Sequence, residues 1–158
     1  MFYPYGGVFA VKCYTDASFD ERLGIAGLGI VIQDGQHERV YSYFVKAPSN
    51  NFAELLAIKL AGVLTEGRAT IYTDSQVAID MIAGRINNEK ERTKKGYIAH
   101  KRCELLAYEI RAQQLKIEKI KAHTHNFQVH YMGNRMADLL AKRGRGQYYA
   151  LDKAKKER

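Results

Sequence analysis

Four acidic residues lie in four separate short motifs, and each motif falls where an apolar segment of the chain begins or ends. They are Asp16 in YTDAS, Glu54 in NNFAELLA, Asp74 in YTDSQ and Asp138 in GNRMADLLA. A fold that gathers four carboxylates forms a site for hard cations made only of oxygen ligands. Such a site suits Mg²⁺ or Mn²⁺, and paired ions of this kind drive phosphodiester hydrolysis. The alternative is that each acid caps a helix or lies at the surface in solvent.

The apolar segments predict one α/β domain of 158 residues, with helices on the faces of a mixed sheet. Strand-like segments lie at 8–15, 25–32, 39–45, 69–73 and 115–122, and a longer helix is predicted at 97–114. A first helix is predicted from a cap at 48–50 to Gly67, with Glu54 one turn inside it, and Ser75 is predicted to cap a short helix that stops at Gly84. Asn134 is predicted to cap a last helix that runs to about Arg143 and has Asp138 one turn inside it, where the helix dipole favours a carboxylate. The first strand is predicted to end at Asp16, and Gly27 and Gly29 indicate a bulge or a close backbone approach in the second. The domain is predicted to cover residues 1–144, followed by a basic C-terminal tail at 145–158.

The net charge of +8 is unevenly distributed. Residues 1–88 hold 7 Lys and Arg against 9 Asp and Glu, whereas residues 89–158 hold 18 against 8. A basic half indicates a polyanionic partner, most simply a nucleic acid, and the alternative is a basic surface that only aids solubility. The tail mixes basic residues with Tyr148 and Tyr149, so it either grips nucleic acid or packs its aromatic rings on the body.

Targeting and redox features point to the cytoplasm. No apolar run approaches the length of a membrane span, and the first residues lack the basic flank and apolar stretch of a signal peptide. Cys13 and Cys103 are the only cysteines, and two distant thiols form neither a disulfide framework nor a zinc signature. We therefore expect a cytoplasmic protein with reduced thiols, without membrane contact and monomeric.

The four motifs, taken in this order, resemble those of type 1 ribonuclease H, within the ribonuclease H-like superfamily. The resemblance covers about residues 8–144, and its clearest parts are NNxxE at 50–54 and TDSQ at 73–76. It implies a ribonuclease H-like five-stranded sheet with three antiparallel strands, then parallel strands, flanked by helices. It also implies endonucleolytic cleavage of the RNA strand of an RNA–DNA hybrid. The implied cofactor is a pair of Mg²⁺ ions, replaceable by Mn²⁺, on Asp16, Glu54, Asp74 and Asp138.

Further positions matched by the resemblance would bind the substrate. Asn50, Asn51 and Gln76 are where the family contacts the hybrid minor groove, and their amides suit base edges and a ribose 2′-OH. Their alternative role is helix capping. Ser18 and Thr73 are expected to contact phosphates, with a turn hydroxyl and a strand-end cap as the respective alternatives.

The loop before Asp138 departs from the family pattern, because it is longer and contains three histidines. His123 directly follows the last strand and is the first choice for the proton-transferring residue of the family, while His125 and His130 stay open. Residues 87–95 stand where many bacterial members have a basic, Trp-bearing protrusion, and the absence of Trp indicates a reduced one.

Two other functions remain possible from the sequence. The first is a ribonuclease H-like nuclease for another substrate, such as a resolvase, transposase or exonuclease. The Asn-Asn pair before Glu54 and the Asp-Ser-Gln motif argue against it, since they match the hybrid-specific branch. The second is a non-catalytic hybrid-binding module, which typically lacks one of the carboxylates, and here all four are present.

Overall fold

The sheet has five strands and the mixed topology that the sequence predicts. The computed structural model describes residues 10–86, 93–121 and 130–158. In spatial order the strands are β3 (His37–Lys46), β2 (Ile25–Asp34), β1 (Val11–Asp20), β4 (Ala69–Thr73) and β5 (Lys116–Lys119). The first three strands of the chain pair antiparallel, while β4 runs parallel to both β1 and β5.

Helices cover both faces of this sheet, because β1 and β2 alternate apolar side chains between two cores. They are α1 (Asn50–Leu64), α2 (Gln76–Ile82), α3 (Lys94–Ala112) and α4 (Tyr131–Lys156). Cys13 and Ile30 belong to the core under α1, α2 and α3, whereas Tyr14 and Val31 belong to the core under α4. Among the described residues, no helix combines the length and apolarity needed to cross a membrane.

Short polar residues set the helix starts next to the future site. Ser49 is the N-cap of α1 and its hydroxyl accepts a hydrogen bond from the Phe52 amide at 3.2 Å. Ser75 caps α2 in the same way, as predicted, by accepting from the Ala78 amide at 3.1 Å. The cap of α1 is therefore Ser49, and Asn50 is the first helical residue.

Glycines bring α4 directly onto the backbone of the sheet, which confirms the close approach predicted at Gly27 and Gly29. A Cβ atom at Gly27 would lie 1.7 Å from the Ala141 carbonyl oxygen, and one at Gly29 would lie 2.0 Å from that of Ala137. From the helix side, a Cβ at Gly144 would lie 2.0 Å from the Tyr43 carbonyl oxygen. No side-chain layer separates helix and sheet at these three points.

The predicted end of β1 and both predicted ends of α4 were wrong, and the first two of these boundaries lie next to the site. β1 does not end at Asp16 but continues to Asp20, because its antiparallel ladder with β2 runs four residues further. α4 neither begins with an Asn134 cap nor ends near Arg143: it begins at Tyr131, after His130, and continues to Lys156. The predicted division at 144 therefore falls inside a helix, which packs Tyr148 edge-on against Phe44 with ring centroids 5.7 Å apart.

Candidate active site

The unequal lengths of β1 and β4 expose the first two carboxylates. The parallel ladder between these strands ends at the pair Tyr14 and Tyr72. Asp16 lies two residues beyond that pair on β1, opposite Gly29 of β2. Asp74 follows the last residue of β4. The two acids therefore flank the position where β4 stops and β1 continues, at the carboxyl end of parallel strands, where open sheets bind ligands.

Helix α1 adds the third carboxylate to this position. Glu54 lies about one turn into the helix, on its buried side, as predicted. Ligand oxygens of Asp16, Glu54 and Asp74 all lie within 4.8 Å of one another. The side chains of Asp16 and Glu54 are buried, and that of Asp74 is half-buried. Three acids that are distant in sequence thus form one compact cluster.

The electrostatics of the cluster favour a neutralising partner. Burial, followed by the charge of Asp74, raises the pKa of Asp16 to about 7 from an ordinary 3.8. Burial, followed by the charges of Asp16 and Asp74, raises the pKa of Glu54 to about 9 from 4.5. Closely spaced buried carboxylates cannot all ionise without a proton or a cation to offset their repulsion. The metal-free cluster therefore retains protons at neutral pH.

The fourth carboxylate lies at the edge of the cluster. Asp138 lines a cleft of about 350 Å³ together with Asp16 and Asp74. It also contributes to the raised pKa of Asp16. Its Oδ2 accepts a hydrogen bond from Lys142 Nζ at 2.8 Å, one turn further along α4. Because α4 begins earlier than predicted, Asp138 is two turns inside the helix, too far from its start for the favourable dipole that the sequence indicated.

The donor set fits a hard divalent cation. All the groups are carboxylate oxygens, the ligands that Mg²⁺ and Mn²⁺ take. Glu54 Oε2 is buried and has no hydrogen-bond partner within the described part of the chain. An unsatisfied buried carboxylate oxygen is costly, and coordination of a cation would satisfy it. Asp16, Glu54, Asp74 and Asp138 are the residues that would hold such ions.

The raised pKa values predict an unusual pH dependence of stability in metal-free protein. Asp16 and Glu54 bind protons more tightly in the folded state than in the unfolded one, so their contribution to stability is complete below about pH 4 and declines as pH rises towards about 9. We expect the melting temperature in EDTA to fall across this range. Saturating Mg²⁺ should flatten the decline, because cations replace the protons.

Glu54→Gln is the matched variant for this measurement, since it keeps the shape of the side chain and removes one titrating group. Its metal-free melting temperature should vary less with pH than that of the wild type. An equally steep decline in the variant would show that groups outside the cluster cause the pH dependence.

Positively charged side chains surround the acids, and these were not predicted from the sequence. Lys119 Nζ, at the end of β5, donates to the Asp74 carbonyl oxygen. Arg135 and Lys142 line the cleft with Asp138, and Arg135 Nη1 donates to the Tyr131 hydroxyl at 3.0 Å. The i, i+4 spacing of Asp138 and Lys142 was the available sequence signal. The cleft thus offers positive charge beside its acids, as an anionic substrate requires.

The predicted substrate-binding residues are divided between exposed and buried positions. Asn50 and Asn51 open α1, and Asn51 lines a groove of about 490 Å³ that extends to Thr93. Gln76 opens α2, where its Nε2 donates to Asp80 Oδ1 at 2.9 Å.

The two predicted phosphate contacts lie on strands. Ser18 is half-buried on β1. Thr73 is fully buried, and its hydroxyl accepts from the Ser75 amide at 3.1 Å. This matches the strand-end cap considered as its alternative role, and the phosphate contact stays a prediction.

Of the three loop histidines, only His130 lies in the described part of the chain. Its ring packs on Tyr72 with centroids 4.2 Å apart, and its Nδ1 is 2.8 Å from the Tyr14 hydroxyl. Burial raises the pKa of Tyr14 to about 12. His130 is therefore held among aromatic rings at the start of α4. His123 and His125 lie outside the described residues, as does most of the predicted basic protrusion.

Comparison with known proteins agrees with this arrangement of fold and acids. The sequence model of the RNase H family matches residues 9–146, which is most of the chain. The chain belongs to the RNase H family. The sequence resemblance to type 1 ribonuclease H is thereby confirmed. The family match ends within α4, so the last turns of this helix lie beyond it.

Individual RNase H proteins are similar over half or more of their length. A ribonuclease H of Bordetella avium is 27% identical over 142 residues, covering 85% of this chain and 89% of the relative. A ribonuclease H of Erwinia tasmaniensis is 33% identical over 84 residues, 52% of this chain and 54% of the relative.

Solved structures share the fold. RNase H1 of the archaeon Halobacterium salinarum superposes with a TM-score of 0.63 at 18% identity, covering 88% of this chain and 99% of its own. LC11-RNase H1, solved in complex with an RNA/DNA hybrid, has a TM-score of 0.57 at 19% identity, with the same coverage of both chains.

Proposed function

We propose that this protein is an endonuclease that hydrolyses the RNA strand of RNA–DNA hybrids, using two divalent cations. The observation that carries the proposal is the cluster of Asp16, Glu54 and Asp74, with ligand oxygens within 4.8 Å of one another. Membership of the RNase H family supports the reaction class, and the hybrid complex of LC11-RNase H1 supports the substrate.

Mg²⁺ is the proposed cofactor, with Mn²⁺ as a substitute, and the four carboxylates are its proposed ligands. Bound divalent ions supply the positive charge that lowers the pKa of an attacking water and stabilises the leaving 3′ oxygen. The carboxylates hold and orient these ions. Buried Glu54 lies deepest among the acids, while Asp138 faces the cleft from α4.

Residues around the cluster would orient the hybrid. Asn50, Asn51 and Gln76 open two neighbouring helices and present amides that can distinguish a ribose 2′-OH. Ser18 is proposed to contact a phosphate. His123 is proposed to carry a proton between the leaving group and solvent, a task that suits the near-neutral pKa of histidine.

The compartment and oligomeric state belong to the same proposal. Cys13 and Cys103 are buried free thiols, which supports a reducing compartment, the cytoplasm. Action as a monomer is part of the same proposal.

The proposal is tested by incubating the purified protein with end-labelled RNA–DNA hybrid, RNA duplex and DNA duplex. The reactions contain Mg²⁺, Mn²⁺ or EDTA. We expect cleavage inside the RNA strand of the hybrid alone, with 5′-phosphate ends, and none in EDTA. Equal cleavage of DNA duplex would instead favour a nuclease of the wider superfamily, and hybrid binding without any cleavage would favour a binding module.

Substrate recognition by Asn51 gives a quantitative prediction. Asn51→Ala should raise the KM for hybrid about fivefold, equivalent to a lost neutral hydrogen bond of about 1 kcal/mol, and leave kcat nearly unchanged. Gln33→Ala is the control, because it removes a half-buried amide that lies four ladder pairs from Asp16 and donates to Glu38. A loss confined to kcat would assign Asn51 to the chemistry or to the fold.

A further inference from the structure

The start of α4 is fastened to the sheet by three aromatic side chains, which we name the aromatic clasp: Tyr14, Tyr72 and His130. The tyrosine rings stack with centroids 5.2 Å apart and planes inclined by 21°. His130 packs on Tyr72 at 4.2 Å, and its Nδ1 is within hydrogen-bond distance of the Tyr14 hydroxyl at 2.8 Å. The clasp therefore has a stacked face and one specific polar contact.

The position of the clasp relates it to the metal cluster. Tyr14 and Tyr72 are the last paired residues of the ladder between β1 and β4. Asp16 and Asp74 each follow one of these tyrosines by two residues. The clasp thus lies one step below the acids, on the face of the sheet that α4 covers, since it belongs to the core under that helix.

The clasp replaces an ordinary helix cap. His130 is the N-cap residue of α4, but its side chain makes no cap hydrogen bond to the helix. It contacts Tyr14 instead. Gly133 extends the contact, because a Cβ atom there would lie 2.4 Å from ring atoms of Tyr14. The first turn of α4 is consequently held by the sheet rather than by its own polar groups.

We infer that the aromatic clasp sets the position of Asp138 relative to the other carboxylates, and that His130 and Tyr14 are positioning residues for metal binding. Asp138 lies eight residues after His130 on the same helix, about 12 Å along its axis. The helix transmits a shift at its start to Asp138, because α4 is continuous between them. Metal sites require their ligands to be placed within about 0.5 Å.

The inference rests on the proposed role of Asp138 as a metal ligand, and the test measures Mg²⁺ and Mn²⁺ binding to purified protein by calorimetry without substrate. Tyr14→Phe removes only the hydroxyl and keeps the stacked ring, while His130→Leu removes the polar partner at similar volume. Each should weaken divalent binding about tenfold, the lower end of the effect typical of groups that orient metal ligands. His130→Asn, which keeps a polar atom at the δ position, should bind metal within about twofold of the wild type.

A double-mutant cycle separates positioning of Asp138 from other effects. In an Asp138→Asn background, Tyr14→Phe should change metal affinity by less than about twofold, because the group it positions is absent. All binding is measured at a temperature where melting curves show each variant folded. If the clasp only stabilised the fold, its variants would have lower melting temperatures and the same metal affinity as the wild type. That result would overturn the inference.

The remaining outcomes are also decisive. A tenfold loss that persists in the Asp138→Asn background would mean that the clasp acts on Asp16 and Asp74, and the inference for Asp138 would be wrong. If Asp138→Asn alone left the metal affinity unchanged, Asp138 would not be a metal ligand and the inference would be wrong. A wild-type protein that binds no divalent cation would contradict the proposed function itself, and that result is distinct from the other two.

Discussion

Asp16→Asn and Asp74→Asn are each expected to reduce the rate of hybrid cleavage by about 10³-fold or more, a loss of about 4 kcal/mol of transition-state stabilisation. Each substitution keeps the shape of the side chain and removes charge from a group whose oxygens lie within 4.8 Å of the other two acids. Single-turnover cleavage of labelled hybrid at saturating Mg²⁺ measures the effect.

Thermal stability should rise although activity falls, so the loss of activity cannot be attributed to unfolding. Asp16 is buried beside Asp74, and its pKa is raised by that environment. Replacing it with Asn should therefore raise the metal-free melting temperature at neutral pH. Asp34→Asn, at the last residue of β2, is the control and should change neither quantity. Turnover close to wild type in either site variant would overturn the metal assignment.

The second large effect is expected from Gly29→Ala. A Cβ atom at this position would lie 2.0 Å from the Ala137 carbonyl oxygen, and a backbone atom cannot move aside as a flexible side chain can. The helix must lift from the sheet, at a cost of about 3 kcal/mol. Gly29 also faces Asp16 across the β1–β2 ladder, and Ala137 precedes Asp138. Activity should therefore fall even under conditions where the variant is folded.

Gly146→Ala is the matched control for this prediction. Gly146 lies on the exposed side of α4, and a Cβ atom there would meet nothing within 4 Å. Replacing a glycine inside a helix with alanine should stabilise the protein by about 1 kcal/mol. Urea unfolding of both variants measures the contrast. Equal effects of the two substitutions would show that close contact between helix and sheet does not matter at Gly29.

Rules that use only neighbouring residues were sufficient to predict much of the fold. The order of helices and strands followed from apolar periodicity. The cap at Ser75 and the glycine just after the end of α1, Gly67, followed from residue chemistry. Asp16 and Asp74 come together because β1 and β4 are parallel neighbours, and each acid lies two residues beyond the last pair of their ladder. These features depend on a few adjacent residues or on the general geometry of sheets.

Features that depend on distant partners were not predictable in this way. The low helix propensity of glycine predicts that a helix ends near Gly144 and Gly146. The helix α4 nevertheless continues through both, because Gly144 packs on the Tyr43 backbone and Tyr148 packs on Phe44. Likewise, β1 continues beyond Asp16 because its ladder with β2 runs to Asp20, although its ladder with β4 ends at Tyr14.

The contact between α4 and the glycines of β2 has a consequence for the timing of assembly. Asp16, Glu54 and Asp74 come from the first half of the chain, whereas Asp138 is carried by the last described helix. Proteins are synthesised from the N-terminus, and contacts between residues far apart in sequence form slowly. The cluster of four carboxylates can therefore be completed only after α4 has been synthesised and has docked on Gly27 and Gly29. A chain that stops before this helix lacks Asp138.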